Sequence, residues 1–154
     1  MTKFASPFSH SQIAVFQSGI ENPFNDWEDV HVNQGFAWRP GSVSFATLEE
    51  GGTIDVEVLA RKAWSEDSRA VRVIRVPFLV SAMGVEIASI IKGQTIDIPS
   101  GRHSLYYETG KEDDYLWCRF TFVQDKQSVP EIIKADSGLK PPKRLSMEAR
   151  PAIP

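Results

Sequence analysis

The sequence predicts an all-β fold, an antiparallel β-sandwich of about eight short strands with one short helix. Three observations support this prediction. Apolar residues mostly recur at every second position, strand-like segments follow one another about every ten residues, and turns rich in Gly or Pro separate them. A sandwich is favoured over a barrel because nothing in the sequence marks barrel closure.

Most strands can be placed from this alternation. Residues 12–17 and 42–48 are short apolar strands. Gly51-Gly52 then predicts a tight hairpin turn into a strand over residues 53–61, because glycine supplies the positive φ that such turns need. The other strands are predicted over residues 70–80, 85–91, 94–98, 103–109 and 115–123, with residues 131–135 as a last strand or turn.

Two of these strands differ in how regular their pattern is. The alternation in 70–80 is imperfect, which indicates either a bulge near Ile74 or burial of both faces. The pattern in 115–123 is clean. Its apolar face includes Cys118, and its opposite face carries Tyr115, Trp117, Arg119 and Thr121.

Only one segment is typical of a helix. Asn25 or Asp26 can cap a helix over residues 27–34, and Gly35 stands where a left-handed C-terminal residue is expected. A helix of two turns is marginal alone, so packing must stabilise it.

Charge and proline content divide the chain into a predicted single domain over residues 1–136 and a tail over residues 137–154. The tail is rich in Pro and carries a net charge of +3, so we expect it to be flexible and to lack a core. Because the whole chain has a net charge of −3, the first 136 residues carry −6. An acidic body repels phosphates and suits a cationic partner; solubility alone is the alternative explanation.

The chemistry of the sequence argues against an enzyme. It has no Gly-rich phosphate loop, no nucleophile-elbow motif and no metal-ligand spacing among its three histidines. We therefore expect no cofactor, no metal and no direct binding to nucleic acid or membrane. One cysteine, no long apolar run and no secretory signal favour the cytoplasm. Asp55 and Glu57, two residues apart on one strand face, leave a hydrolase as a less favoured alternative to a solvated face.

Two segments are candidates for a protein-binding surface. Residues 21–29 combine carboxylates with aromatic side chains and contain no basic residue; the carboxylates alternatively serve only the helix N-terminus. The second candidate is the hairpin 104–119, with a turn near 110–112, which would place Tyr106 near Trp117. Either its aromatic face is a binding surface, or another segment of the chain covers that face.

Several motifs, in order, resemble the competence protein J family over about residues 10–108. They are Val15-Phe16-Gln17, Asp26-Trp27, Gly35-Phe36-Ala37, Gly41-Ser42-Val43-Ser44-Phe45, Val76-Pro77-Phe78, residues 84–90 and residues 96–101. The resemblance implies an inhibitor of a DNA-entry nuclease, which is a metal-dependent endonuclease, or an immunity protein against a related nuclease toxin.

The resemblance and the charge distribution together predict a non-enzymatic nuclease inhibitor. Its carboxylates would occupy the cationic, metal-containing surface that a nuclease presents to DNA. The alternative is a sandwich that binds carbohydrate or another small ligand through its aromatic face, and a homodimer through a sheet edge or that face is also possible. The residues predicted to bind the partner are Asp26, Trp27, Glu28, Asp29, Trp38, Glu112, Asp113, Asp114 and Trp117.

Overall fold

A computed structural model describes residues 1–153, in which eleven β-strands and one α-helix are found. The elements are β1 (Thr2–Phe8), β2 (Gln12–Gln17), α1 (Asp29–Gln34), β3 (Phe36–Arg39), β4 (Ser42–Ala46), β5 (Gly52–Arg61), β6 (Arg72–Val80), β7 (Val85–Ala88), β8 (Gly93–Ile96), β9 (Gly101–Glu112), β10 (Tyr115–Gln124) and β11 (Glu131–Lys134).

The strands form two sheets, which confirms the predicted all-β fold with one short helix. The larger sheet has the order β1-β5-β10-β9-β6-β11, and the smaller has the order β3-β4-β2-β7-β8. All pairings are antiparallel except that of β5 with β10, which is parallel. The eleven strands exceed the predicted eight or so because β1 and β3 were not predicted and β11 is a strand rather than a turn.

The core lies between the sheets and is built by the strand faces that alternation identified. Val56 and Val58 of β5 are each 2% exposed, and Phe120 of β10 is fully buried. Phe45 of the smaller sheet stacks on Tyr107 of the larger one with ring centroids 4.5 Å apart. The Tyr107 hydroxyl donates a hydrogen bond to the Ala46 carbonyl, so its one polar atom is satisfied inside the core.

The predicted hairpin turn at Gly51-Gly52 is wrong. β4 belongs to the smaller sheet and β5 to the larger, so the segment between them crosses from one sheet to the other. Gly52 does adopt a positive φ of 132°, as a glycine-dependent bend requires. Turn chemistry therefore located the bend correctly, but it does not determine which strands pair.

Burial on both faces explains the imperfect alternation of β6. Val73 packs in a small cluster on the outer face with Ala70 and Trp117, whereas Ile74 and Val76 face the main core. The register of β6 against β9 is continuous from Arg72 to Val80, so that ladder contains no bulge. The pairing of β6 with β11 is irregular near Ile74, where Ile132 pairs with Ile74 but Lys134 pairs with Val73.

Helix α1 begins two residues later than predicted, and its N-cap is Glu28 rather than Asn25 or Asp26. The Glu28 amide donates a hydrogen bond to His31 Nδ1 at 3.0 Å, so the histidine satisfies one of the free helix amides. Gly35 ends the helix with a φ of 85°, as predicted. Among the described residues, no helix has the length and apolar character needed to span a membrane.

The segment predicted as a coreless tail packs against the sandwich over its described residues. We call residues 137–153 the C-terminal strap. Leu139 is 7% exposed and joins the main core. Just before the strap, Asp136 accepts hydrogen bonds from the buried Arg72 at 2.6 and 2.9 Å. Burial alone would raise the pKa of Asp136, but the Arg72 guanidinium outweighs it and holds that pKa below its usual value.

Candidate functional site

The loop before α1 and the first residue of α1 carry four of the predicted partner-binding residues. Asp26, Glu28 and Asp29 are exposed and form no ion pair within the described part of the chain. Trp27 is half-buried, and its Nε1 donates a hydrogen bond to Gln12 Oε1 at 3.2 Å. Because Gln12 begins β2 and pairs with Ala46 at the end of β4, this bond holds the loop at one end of the sandwich.

The turn between β9 and β10 carries three more predicted residues and lies at the same end. The turn residues are Asp113 and Asp114, two or three positions later than predicted, and Tyr115 pairs with Glu112 across them. Both aspartates are exposed, and Glu112 lies 3.9 Å from Arg69. The neighbouring Lys111 forms an ion pair of 3.1 Å with Glu49, just beyond β4.

Glu49 and Glu50 are members of this surface that sequence reasoning missed. They are exposed in the crossover after β4. Ser11, next to β2, donates its amide to the Glu50 carbonyl at 2.8 Å, which holds the crossover beside the start of β2. Two adjacent glutamates in a loop are a signal that the sequence contains. Their place beside the other carboxylates follows from the crossover between the sheets, which the sequence analysis did not predict. We call the surface the acidic end; its carboxylates are those of Asp26, Glu28, Asp29, Glu49, Glu50, Glu112, Asp113 and Asp114.

The structure does not bring Trp38 to the acidic end. Trp38 is half-buried in β3, and its Nε1 donates a hydrogen bond to the Pro77 carbonyl at 2.8 Å. It lines a cavity of about 480 Å³ with Leu79 and Gln17, the last residue of β2. Since Gln12 at the other terminus of β2 marks the acidic end, Trp38 belongs to the opposite half of the sandwich.

Trp117 is covered by the chain itself. It is 5% exposed, and the Arg69 guanidinium lies 4.6 Å above its ring. Trp64 stacks on Tyr106 at 4.5 Å, so the segment 62–71 covers the outer face of β9 and β10. This is the second of the two possibilities that the strand pattern left open, and it removes Trp117 as an exposed aromatic anchor.

The aromatic platform expected for sugar binding is correspondingly reduced to Tyr115, which is 43% exposed. Tyr106 lies opposite Thr121 in the ladder, not beside Trp117. Tyr115 and Asp55 line a cavity of about 370 Å³ that carries charges of both signs. Glu57 is 3.6 Å from Lys3, so the two strand-face carboxylates are a solvated, partly paired face.

The remaining reactive groups are in structural positions. Cys118 is 1% exposed, as its apolar strand face predicted, and burial raises the pKa of its thiol. His31 is 1% exposed in α1, where burial lowers its pKa against the opposing effect of Glu28. The described residues contain no group of three or more His, Cys, Asp or Glu side chains that could hold a metal ion.

Comparisons with known proteins agree with the resemblance seen in the motifs. The model of the family "Competence protein J (ComJ)" matches residues 7–123. A curated Bacillus subtilis protein described as "DNA-entry nuclease inhibitor" is 32% identical over 99 residues, covering 63% of this chain and 73% of that protein.

Two solved structures share the fold. The crystal structure of ComJ from Bacillus subtilis, titled an inhibitor of the DNA-degrading activity of NucA, gives a TM-score of 0.70 at 24% identity over 81% of this chain and 96% of that one. The crocagin biosynthetic gene J product gives 0.54 at 12% identity over 80% and 96%. The family match over residues 7–123, which spans most of the sandwich, shows that the chain belongs to the competence protein J family.

Proposed function

We propose that this protein inhibits a metal-dependent DNA nuclease by binding it, without catalysis, through the acidic end. The observation that carries the proposal is the 32% identity to a protein described as a DNA-entry nuclease inhibitor. A nuclease presents basic side chains and a metal ion to DNA phosphates, and the same surface attracts protein carboxylates.

The geometry supports this choice of surface. The loop before α1, the crossover after β4 and the β9–β10 turn all place exposed carboxylates at one end of the sandwich. The basic groups closest to that turn are already engaged: Lys111 pairs with Glu49, and Arg69 pairs with Asp67 at 2.9 Å. The remaining negative charge is therefore available to a basic partner, with Trp27 as the aromatic side chain beside it.

A stoichiometric cleavage assay tests the inhibition. The nuclease encoded nearest this gene is incubated with DNA at constant metal concentration, with and without the purified protein. We expect cleavage to stop at about a one-to-one ratio of protein to nuclease. Full cleavage at a large excess of the protein would contradict the proposal.

A matched pair of variants tests the surface. Asp113→Asn with Asp114→Asn removes two exposed charges at the acidic end. Glu21→Gln with Asp97→Asn removes two at the opposite end, where Glu21 follows β2 and Asp97 follows β8. We expect the first pair to weaken inhibition by about tenfold or more and the second to leave it unchanged. Equal effects would assign the binding to another surface.

A further inference from the structure

The C-terminal strap pairs directly with the loop that carries Asp26. The Asp26 amide donates a hydrogen bond to the Arg150 carbonyl at 2.8 Å, and the Ala152 amide donates one to the Phe24 carbonyl at 2.9 Å. Between these two bonds Asn25 and Pro151 form an antiparallel bridge. The strap thus pairs with the loop through a single bridge that belongs to neither sheet.

Other contacts anchor the strap independently of that loop. Ser146 exchanges two backbone hydrogen bonds with the buried Gln34 side chain, at 2.8 and 2.9 Å. The Ala149 amide donates to the Trp38 carbonyl at 2.9 Å, on the edge strand of the smaller sheet. These bonds fix the strap on the sandwich. The strap residues that pair with the loop therefore also fix the position of the loop.

The sandwich fixes the residues on both sides of Asp26 but not Asp26 itself. Asn25 is 3% exposed, donates from Nδ2 to the Ala37 and Ser42 carbonyls and accepts from Arg39 Nε at 2.6 Å. On the other side Trp27 donates to Gln12. Asp26, between them, has an exposed side chain and a backbone amide whose one partner among the described residues is the strap. The family model matches residues 7–123, so the strap lies outside the matched residues.

We propose that the C-terminal strap is a positioning element for partner recognition, which pre-organises the loop 24–29 so that Asp26, Glu28 and Asp29 meet a basic partner in a fixed arrangement. This inference rests on the proposed function. A loop ordered before binding loses less conformational freedom on association than a mobile one, so ordering increases affinity without adding a contact. Release of the strap's last residues therefore weakens binding although no carboxylate is lost.

The test removes one hydrogen bond. Ala152→Pro deletes the amide that donates to Phe24, and Ile153→Pro, at a position that is 72% exposed, is the matched control. We expect Ala152→Pro to accelerate hydrogen exchange of the Asp26 amide and to weaken inhibition about tenfold. The control should do neither. A second variant that ends at Ala149 removes the whole pairing and should match Ala152→Pro.

A double-mutant cycle separates positioning from a merely structural role. If the strap acts through the loop carboxylates, Ala152→Pro has a much smaller effect in an Asp26→Asn/Asp29→Asn background than in the wild type. Equal effects in both backgrounds, unchanged Asp26 exchange, or wild-type inhibition by Ala152→Pro would each overturn the inference. A wild-type protein that inhibits no nuclease would instead refute the proposed function.

Discussion

Glu108 and Arg119 form an ion pair on the outer face of the larger sheet, where they lie directly opposite each other in the β9–β10 ladder. Arg119 Nη2 lies 2.8 Å from Glu108 Oε1, and the Glu108 side chain has no exposed surface. The other donors to this carboxylate are Trp64 Nε1 and the Asp67 amide. The buried Glu108 carboxylate therefore fixes the segment 62–71, which covers Trp117, against the larger sheet.

Loss of this carboxylate's charge should destabilise the fold. We expect Glu108→Gln to lower the free energy of unfolding by about 3 kcal/mol, because Arg119, whose side chain is 17% exposed, would lose its partner at 2.8 Å and keep only Asp67 at 3.9 Å. Glu57→Gln is the control, since the Glu57 side chain is 29% exposed and lies 3.6 Å from Lys3. The control should cost less than about 1 kcal/mol in urea denaturation. Equal losses of unfolding free energy in the two variants would show that the buried ion pair contributes no more stability than the exposed one.

A side chain at Gly35 should cost more stability than one at Gly19. A Cβ there would meet Leu139 Cδ2 at 2.9 Å and Ile74 Cδ1 at 3.2 Å, at a φ of 85°. Gly19 has a nearly identical φ of 83° with open space around it. We expect Gly19→Ala to cost about 1 kcal/mol from backbone strain alone and Gly35→Ala about 1–3 kcal/mol more from overpacking. Thermal denaturation of both variants measures the difference. Equal shifts in melting temperature would mean that Leu139 of the strap moves aside at no cost in stability.

Stability should fall as the pH drops below about 6.5, the value at which an unfolded histidine takes up a proton. Burial lowers the pKa of His31 and of His103 in the folded protein, so the unfolded state binds the proton first. The contribution is fully present above that pH and is lost as the pH falls toward the folded-state values.

His31→Gln tests this explanation, because glutamine at the third helical position can also accept the Glu28 amide. We expect the variant to be close to wild type at pH 8 and to show a shallower loss of stability between about pH 6.5 and 5. Denaturation curves across that range measure it. An unchanged pH profile would exclude His31 as a source of the dependence.

Association with the nuclease should be steered by charge. We expect the association rate to fall about tenfold or more between 0.01 and 0.5 M salt, because screening removes long-range attraction. Neutralising Asp113 and Asp114 should make that dependence shallower, whereas neutralising Glu21 and Asp97 should not. A stopped-flow measurement that finds the same rate at every salt concentration would contradict steering by the acidic end.

Local sequence patterns were sufficient to place the elements that can be recognised without knowing which strands they pair with. The clean alternation predicted β10 and β5 almost to the residue, and Gly35 marked the end of α1. β1 was missed because Ser6 and Pro7 interrupt its apolar pattern. Proline is tolerated there because β1 is an edge strand and pairs only with β5.

The candidate site was only partly predictable because strand patterns do not show what covers a face. Asp26, Glu28, Asp29, Asp113 and Asp114 are exposed as expected, since loops and turns lie at the surface. Trp117 is on the expected face, yet a segment about fifty residues earlier in the chain buries it. Its cover depends on Glu108, a residue that alternation alone assigns to an ordinary solvated position.

The parallel pairing of β5 with β10 also sets an order of assembly. β5 receives β1 on one edge from residues already synthesised, but its other edge is covered only when Leu116 and the residues after it have formed β10. A growing chain therefore carries an unpaired edge of β5 through the synthesis of β6 to β9. Distant pairing of this kind slows folding and exposes a strand edge to neighbouring chains. The larger sheet thus closes late, and the segment that follows β11 is synthesised only after β10.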